Sequence, residues 1–487
     1  MKNGTASFPE IRNVIDLFEK INSLPRCSKN EKQLSDWLFS WARSNGFEAQ
    51  QDKALNILVS VPASPGYESS PTVAIQGHMD MVCEKTPESS HDFTKDSIKS
   101  VYKDGWITAD GTTLGADNGI ALAIAMEIAS NKDIKHPPLE LLFTSDEETG
   151  LTGAMAVEAE WLESNYLLNL DSEDEGVFTV GCAGGESIEV SLPLNKEPVC
   201  SDTSFISITV GGLHGGHSGM DISGHRENAI ILLARTLEKI GETTSFNIGS
   251  ISGGSAHNAI PRDASAVISI PSGKIEMTLA SIEKIENIFT NENRAFEPGF
   301  KISADKLPSN EKSEVIDKNS GEKLIKLILS LPNGVAGMSP EIEGLVETSN
   351  NLAVIRTEND SFKILSSQRS SVESRLDEIS GKIRAVSQLA GAETERKGRY
   401  PSWQPDMNSS LVKRCREVYE NMYGRTPDIE AIHAGLECGI IGSKHEGMEM
   451  ISFGPTIKDP HTPVERMNLE SLDKVFSFTK KLLSSFK

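Results

Sequence analysis

An apolar run and a cluster of carboxylates adjoin in the stretch Leu139-Glu-Leu-Leu-Phe-Thr-Ser-Asp-Glu-Glu-Thr-Gly150. Its apolar run, residues 139–143, has the length of a buried β-strand. Three consecutive carboxylates follow the strand: Asp146, Glu147 and Glu148. Because adjacent side chains on an extended segment point to opposite faces, one glutamate can bind a metal while its neighbour faces the attacking water. The competing interpretation is a solvated acidic turn. A metal site becomes the better interpretation only if similar ligands recur elsewhere in the chain.

Length and composition limit the class of protein. A chain of 487 residues exceeds the size of a single core, which predicts two or three domains. With 38% hydrophobic and 24% charged residues, the composition is that of an ordinary globular protein. The formal net charge of −22 argues against nucleic acid or an anionic membrane as a partner, because both require a basic surface.

The cellular compartment is predicted from what the sequence lacks. No apolar stretch reaches the roughly 18 residues that cross a bilayer, and residues 1–8 carry no apolar signal-peptide core. The six cysteines are scattered without a C-x-x-C pair, which predicts reduced thiols. We therefore expect a cytoplasmic protein.

Alternating strands and helices are predicted in the first part of the chain. Amphipathic helices are expected at 9–22 and after Ser28, whose spacing to Glu31 is that of a capping box. Apolar strands at 55–61, 72–75, 139–143 and 166–170 accompany an alanine-rich helix at 120–130. This order is typical of an α/β fold with substantial parallel pairing.

The pattern changes near residue 185 and returns after 400. Strands at 205–210, 264–270 and 362–365 and helices at 228–240, 274–293 and 372–390 predict a smaller α+β module, ferredoxin-like in its element count. The polar stretch 300–360 is interpreted as loops with a short helix. A helix at 410–423, a strand at 448–453 and a helix at 469–485 restore the first pattern. We predict one α/β domain, 1–186 and 399–487, with the module 187–398 inserted between its halves.

Potential metal ligands recur at the ends of several predicted strands. In an open α/β sheet the carboxyl ends of strands are where ligands gather, so residues distant in sequence can converge there. A further ligand type lies in the proline-stiffened loop 454–463. The set comprises His78 with Asp80, Asp117 at a helix entrance, Glu147 with Glu148, Asp171, and His461.

Each of these residues also has a structural interpretation. Asp117 could cap the helix that it precedes, and Asp171 could belong to a solvated acidic loop. Lone histidines are mostly surface or core residues, which is how we interpret His91, His136, His225 and His445. The recurrence of ligands at strand ends is what the structural interpretations leave unexplained, so we favour a metal site.

The ligand types narrow the metal. Histidine with several carboxylates and no cysteine suits Zn²⁺, Mn²⁺ or Co²⁺ in a hydrolytic site. Two ions about 3.5–4 Å apart need a bridging carboxylate, for which Asp117 is well placed. The pair His78-x-Asp80 has the form in which a carboxylate orients a ligating imidazole.

Several motifs carry a resemblance to a known family. His78-Met-Asp80, Gly115-Ala-Asp-Asn-Gly119, Asp146-Glu-Glu148 and Asn169-Leu-Asp-Ser-Glu173 resemble the zinc metallopeptidases that include carnosinase and aminoacylase. More narrowly, the chain resembles the bacterial aminoacyl-histidine dipeptidases. The segments concerned are Thr113–Gly119, Gly181–Gly185, Gly215–Gly219, Asn258–Arg262, Tyr400–Asp406 and His433–Gly439.

The resemblance implies a role for each candidate residue. His78 and Asp171 would bind one zinc, Glu148 and His461 a second, and Asp117 would bridge the two ions. Glu147 would be the general base, Asp80 the partner of His78, and His217 of the inserted module the residue that reaches the scissile carbonyl oxygen. Three residues would contact the substrate: Asn258, Arg369 and Glu437.

The implied function is a cytoplasmic dipeptidase. It would cleave Xaa-His dipeptides such as carnosine, and other dipeptides, by Glu147-assisted attack of a metal-bridging water. The inserted module would close over the site and form a homodimer. A tripeptidase, carboxypeptidase or N-acyl amino acid hydrolase of the same family is the alternative, and a non-catalytic binding protein on the same scaffold or a phosphate-binding glycine loop at 211–216 are more distant ones.

Overall fold

The computed structural model describes residues 8–308 and 313–487, which form two compact units. The first unit contains residues 8–182, Trp403–Ala431 and Leu436–Lys487. The second contains 183–308, 313–402 and the short segment Ile432–Gly435. The return of the chain to the second unit at 432–435 was not predicted from the sequence. The catalytic role of one domain and the lid role of the other stay predictions.

The first unit begins with helices and a sheet. A 3₁₀ turn at Pro9–Ile11 precedes α1 (Arg12–Ile21), and α2 (Lys32–Ser44) follows. The other helices of this part are α3 (Ala116–Ser130) and α4 (Thr152–Ala156). The strands are β1 (Glu48–Gln51), β2 (Ile57–Val61), β3 (Val73–His78), β4 (Ser100–Lys103), β5 (Trp106–Ala109), β6 (Leu139–Thr144), β7 (Tyr166–Asn169) and β8 (Val177–Cys182).

The second unit is built on antiparallel strands. Its helices are α5 (Ala229–Gly241), α6 (Ile275–Asn293), α7 (Lys318–Ser330) and α8 (Glu373–Leu389), with a 3₁₀ turn at Ser272–Lys274. Its strands are β9 (Gly184–Pro193), β10 (Lys196–Pro198), β11 (Thr203–Gly211), β12 (Gly216–His217), β13 (Asn247–Gly253), β14 (Ala259–Ile260), β15 (Ala264–Pro271), β16 (Lys301–Leu307), β17 (Glu314–Ile316), β18 (Gly334–Met338), β19 (Val346–Thr357), β20 (Ser361–Ser370) and β21 (Glu393–Tyr400). The main sheet runs β16-β11-β15-β13-β19-β20-β9-β21, with β18 paired to β19.

The chain then completes the first unit. Its last elements are α9 (Ser410–Tyr423), β22 (Asp428–Ile432), α10 (Glu437–Lys444), β23 (Glu449–Ser452), β24 (Ile457–Lys458), β25 (Arg466–Asn468) and α11 (Leu469–Ser484). The large sheet of this unit has the order β1-β2-β6-β3-β7-β23-β8-β22, and a smaller sheet has the order β24-β25-β5-β4.

The centre of the large sheet is parallel and buried. β3 pairs in parallel with β6 on one side and with β7 on the other, and β7 pairs in parallel with β23. All six residues of β3 and of β6 are buried, as expected for strands covered on both faces. The fold class, a mixed α/β sheet with a separate α+β unit, is confirmed.

Three local predictions are corrected. Ser28 and Glu31 do not form a capping box at α2, because the Ser28 hydroxyl donates to Asp80 Oδ2 (2.7 Å) and Glu31 Oε1 accepts from the N–H groups of Lys29 and Asp146. Ser28 therefore binds a residue 52 positions away, and Glu31 joins the nearby Lys29 to the distant Asp146, so neither side chain caps the helix.

The stretch 300–360 is more regular than predicted. It contains β16 to β19 and the helix α7, and β19 alone extends over 12 residues. Strand β19 gains its stability from pairing with β20 along most of its length, which a local reading of polar residues does not reveal. Residues 309–312 of this stretch lie outside the described residues.

The prediction of reduced thiols is wrong for two cysteines. Cys27 and Cys83 form a disulfide with their Cα atoms 5.7 Å apart. They are 56 residues apart in sequence and meet because Cys27 pairs with Met81 in a parallel bridge. Spacing along the chain contains no signal for such a pair. Cys182, Cys200, Cys415 and Cys438 are free thiols.

Within residues 8–308 and 313–487, the helices are all too short or too polar to cross a bilayer.

Candidate metal centre

The predicted ligands of the first unit gather at one edge of its large sheet. His78 is the last residue of β3 and pairs with Thr144, the last residue of β6. On the other side of β3, Gln76 pairs with Asn169, the last residue of β7. The segments that carry Glu147, Glu148 and Asp171 therefore leave adjacent strands at the same edge, as the rule for carboxyl ends predicts.

Two groups of three ligand atoms share one carboxylate. In the first, which we call the His78 triad (His78, Asp117 and Asp171), His78 Nε2 lies 3.1 Å from Asp117 Oδ1 and 3.4 Å from Asp171 Oδ1. In the second, the His461 triad (Asp117, Glu148 and His461), His461 Nε2 lies 3.0 Å from Asp117 Oδ2 and 3.1 Å from Glu148 Oε2. Each carboxylate oxygen of Asp117 thus contacts a different histidine.

The donor atoms fit a pair of zinc ions. Tetrahedral zinc with bonds near 2.0–2.1 Å places neighbouring ligand atoms about 3.3 Å apart, close to the separations of 3.0–3.4 Å in the two triads. Among the described residues, Glu148 Oε1 and Asp171 Oδ1 are buried oxygens without a hydrogen-bond partner. Buried unpaired oxygens are costly unless a cation or donor satisfies them.

Glu147 lies next to the triads and is the candidate base. Burial raises the pKa of Glu147 well above its ordinary value, although His78 opposes the shift. A high pKa suits a carboxylate that must take up and return a proton near neutral pH. Glu147 also groups with His78 and Glu148 at ligand distance, so the geometry allows a second interpretation of this residue as a metal ligand.

Asp80 holds several of these parts together. It lies within 3.4 Å of His78 Nδ1 through Oδ1, and the same oxygen accepts the Glu147 N–H (3.0 Å). Its Oδ2 accepts the Glu148 N–H (3.3 Å) and the Ser28 hydroxyl (2.7 Å). Burial would raise the pKa of Asp80, but hydrogen bonds from His78 and these donors lower it to about 2. Asp80 therefore orients both the imidazole and the acidic turn.

The shifts of the ligand pKa values reflect burial and the charges of the neighbouring ligands. Burial raises the pKa of Asp171 to about 6, with repulsion from Asp117 and Glu148 adding to the shift and His78 opposing it. Hydrogen bonds to Asp117 and Glu148 raise the pKa of His461 to about 11. Carboxylates packed this closely need positive charge between them, which is what divalent cations would supply.

Asp146 has a structural role at the turn. Its backbone lies in the left-handed region with φ of 51°. Its carboxylate accepts the hydroxyls of Thr149 and of Thr152 (2.5 Å). These bonds close the loop between β6 and α4, so that Glu147 and Glu148 are presented from a rigid turn.

Asp117 does not cap α3, contrary to one of its two interpretations from sequence. The Asp117 carboxylate faces His78 and His461, and the peptide between Asp117 and Asn118 is cis. The carboxylate that accepts the first N–H groups of the helix belongs to Glu465. Sequence analysis missed Glu465, as it missed the buried Arg26, because neither lies in a recognisable motif.

Glu437 is buried beside the metal centre. Its side chain is 1% exposed, and Oε2 accepts from Gln76 Nε2 (2.5 Å) and Thr144 Oγ1 (2.7 Å). Burial raises the pKa of Glu437 to about 7, with His78 opposing the shift. Within the described part of the chain, Glu437 Oε1 has no hydrogen-bond partner.

The remaining predicted residues lie in the second unit. His217, on β12, accepts the N–H groups of Gly219 (3.3 Å) and Met220 (3.2 Å) at Nδ1. Two donors at Nδ1 place the proton of the neutral ring on Nε2, which leaves Nε2–H as a donor. Burial and Arg369 lower the pKa of His217, so the ring is neutral near pH 7.

Arg369 and Asn258 differ in their surroundings. Arg369 is on β20, is 7% exposed, and donates from Nη1 to Tyr400 Oη (3.0 Å). Asn258 is exposed, and its main-chain carbonyl oxygen accepts the Ser218 N–H (2.8 Å). The second unit therefore offers a fixed guanidinium and a solvent-facing amide, both suited to polar groups of a small ligand.

Protonation of His433 is expected to destabilise the second unit at acidic pH. Burial, and then the nearby Arg369, lower the pKa of His433 from 6.5 to about 3. Between those values the unfolded chain binds the additional proton, so stability is complete above about pH 6.5 and falls as the pH drops towards 3. We expect wild-type protein to lose stability on the order of a few kcal/mol from this residue alone.

The measurement compares urea unfolding at pH 7 and pH 4.5 in wild type and His433→Gln. Glutamine can still contact the Ser349 hydroxyl, which lies 2.7 Å from His433 Nε2. The variant should lose less stability on acidification, whereas the exposed histidine variant His225→Gln should behave as wild type. Equal losses in wild type and His433→Gln would contradict the assignment.

Comparison with known proteins places the chain in a family. The sequence model of peptidase family M20/M25/M40 matches residues 74–485. The chain belongs to this family. It is therefore a hydrolase of the metallopeptidase class, homologous to dipeptidases, and the resemblance seen in the sequence is confirmed.

Individual relatives agree with this placement. The chain is 38% identical over 468 residues to the cytosol non-specific dipeptidase of Escherichia coli K12, and the aligned region covers 96% of each protein. The crystal structure of aminoacylhistidine dipeptidase from Vibrio alginolyticus is 37% identical with a TM-score of 0.91, covering 98% of this chain and 97% of that one. Human carnosine dipeptidase 1, at 11% identity and a TM-score of 0.51 over 97% of this chain and 95% of that one, shares the fold.

Proposed function

We propose that this chain is a di-zinc dipeptidase that cleaves Xaa-His dipeptides, such as carnosine, together with other dipeptides. The observation that carries the proposal is the pair of ligand triads that share Asp117, with Glu147 beside them. The names of the relatives in Escherichia coli and Vibrio alginolyticus support dipeptides as the substrate class. Mn²⁺ or Co²⁺ would fit the same ligands.

The residues of the chain divide the work of hydrolysis. His78 and Asp171 would hold one ion, Glu148 and His461 the other, and Asp117 both. Bound ions would act as Lewis acids that polarise the peptide carbonyl and make water more acidic. Glu147 would accept a proton from the attacking water and deliver it to the leaving amine, while Asp80 keeps the Glu147 main chain in place.

Four further roles remain proposals. His217 would donate from Nε2 to the oxyanion that develops on the substrate, a contribution of about 3 kcal/mol for one well-placed donor. Arg369 and Asn258 would bind polar ends of the dipeptide, and Glu437 would contact a substrate terminus. The tautomer of His217 supports its role, because Nε2–H is the group left free to donate.

A substrate profile tests the proposal. Metal-loaded protein should hydrolyse β-Ala-His, Gly-Gly and Cys-Gly, and the release of amino acids measures the rates. A tripeptide and an N-acetyl amino acid serve as controls and should react at least tenfold more slowly, because a site built for a dipeptide leaves buried polar groups unpaired with either. Faster hydrolysis of a control would favour a tripeptidase or an N-acyl amino acid hydrolase instead.

The assembly and location are also proposals. A homodimer formed through the second unit is implied by the family resemblance. A cytoplasmic location is supported by the name of the Escherichia coli relative. The Cys27–Cys83 bond weighs against that location, because disulfides persist mainly in oxidising compartments.

A further inference from the structure

Glu465 is a buried carboxylate whose hydrogen-bond partners lie 348 to 351 residues earlier in the sequence. It directly precedes β25 and is 2% exposed. Oε2 accepts the N–H groups of Leu114 (2.7 Å) and Gly115 (2.9 Å). Oε1 accepts those of Ala116 (2.8 Å) and Asp117 (3.4 Å). One side chain thus binds four consecutive backbone donors, the last of which belongs to the shared aspartate.

These donors form the entrance of α3, where a carboxylate is stabilised by unpaired N–H groups and by the helix dipole. The N-cap position itself holds Gly115 with φ of 67°. A Cβ at that position would lie 2.2 Å from Nη2 of Arg26, so a capping side chain does not fit there. The cap is instead supplied by Glu465, which lies 349 residues after Ala116.

The main chain of Glu465 belongs to the loop that carries His461. The Glu465 N–H donates to the carbonyl oxygen of Thr462 (3.0 Å), and the Glu465 carbonyl accepts the Thr108 hydroxyl (2.7 Å). His461 itself is half exposed. The separation of 3.0 Å between His461 Nε2 and Asp117 Oδ2 therefore depends on a loop whose buried anchor is Glu465.

The His78 side has a different anchor. Arg26 is 2% exposed and donates to the carbonyl oxygens of Met79 (3.1 Å), Asp80 (3.1 Å) and Gly115 (2.6 Å). These three hydrogen bonds join the end of β3 to the entrance of α3, and Glu465 contributes to Arg26 only through the attraction of its charge. Loss of Glu465 should therefore disturb the two triads unequally.

We propose that Glu465 is a positioning residue that holds the His461 triad together and thereby sets its affinity for a metal ion. It acts on the ligands through the backbone of Asp117 and through the loop of His461. The inference rests on the proposed function in taking the two triads as metal sites. It adds a residue to that site which touches neither metal nor substrate.

The test is a metal titration of apoprotein with Co²⁺, followed by d–d absorption, and with Zn²⁺, followed by calorimetry. In Glu465→Gln one acceptor oxygen becomes an NH₂ group that faces backbone donors. The Kd of the His461 triad, identified as the site that His461→Ala removes, should rise about 10–100-fold, the usual effect of losing a residue that orients a metal ligand. The Kd of the His78 triad should change less than threefold. Glu470→Gln is the matched control, because that glutamate is exposed and pairs with Lys474.

Glu465→Asp covers the case in which the glutamine variant does not fold. Its shorter carboxylate cannot reach all four donors, so the Kd of its His461 triad should lie between those of wild type and Glu465→Gln. Unchanged Kd values in a folded variant, or an equal rise in both, would overturn the positioning role. Wild type that binds fewer than two ions would overturn the proposed function as well, whereas wild type with two ions and dipeptidase activity isolates the failure to Glu465.

Discussion

Replacing Glu147 by glutamine or alanine is expected to lower kcat by roughly 10²–10⁴-fold, the usual contribution of a general base. Both metal ions should stay bound, because the two triads are complete without Glu147. The rate should fall because glutamine keeps the shape of the side chain but cannot accept the proton, and alanine has no group that could accept it. Steady-state kinetics on β-Ala-His and metal analysis of the same preparations measure the two effects.

Metal content decides between the two interpretations of this residue. Glu147 also groups with His78 and Glu148 at ligand distance, so a variant that retains only one ion would identify Glu147 as a ligand. Substantial turnover in Glu147→Ala would remove its role as the base. Glu160→Gln, in an exposed glutamate of the same unit, should leave kcat and metal content unchanged.

Asp117→Asn should have the other large effect, because one carboxylate serves both triads. Its Oδ1 contacts His78 and its Oδ2 contacts His461, and the amide replaces one of these oxygens with an NH₂ group. We expect metal content to fall from two ions to below one. Loss of several kcal/mol of Lewis-acid stabilisation would lower kcat/KM by about a thousandfold or more.

Asp171→Asn is the matched control, since Asp171 belongs to the His78 triad alone. This variant should retain one ion on the His461 triad. Binding of two ions at wild-type affinity by Asp117→Asn would contradict the bridging role, and identical losses in the two variants would contradict the sharing of Asp117.

The candidate ligands could be recognised because their chemistry is local to strand ends. His78, Glu148 and Asp171 follow short apolar runs, and a parallel sheet brings the carboxyl ends of such runs to one edge. The residue types alone then indicate the class of metal. The sequence therefore determined the α/β fold class, the family and the candidate ligands that the fold brings together.

The supports of the site could not be predicted in this way. Ser28 has the spacing of a helix cap but binds Asp80, and Cys27 has no signal that pairs it with Cys83. Arg26 gives no sign in the sequence that it is buried among carbonyl oxygens. Each of these residues has an ordinary local interpretation, and only its long-range partner gives it another role.

Glu465 shows the physical reason most clearly. A glutamate after proline and valine looks like a surface residue, and burying it is costly unless hydrogen bonds compensate. The compensation comes from four N–H groups at residues 114–117, which only the folded chain brings within reach. Sequence determined which atoms are available to bind a metal, because that is a property of residue type. Tertiary structure decided what holds those atoms in place, because buried polar groups take their partners from wherever the fold delivers them.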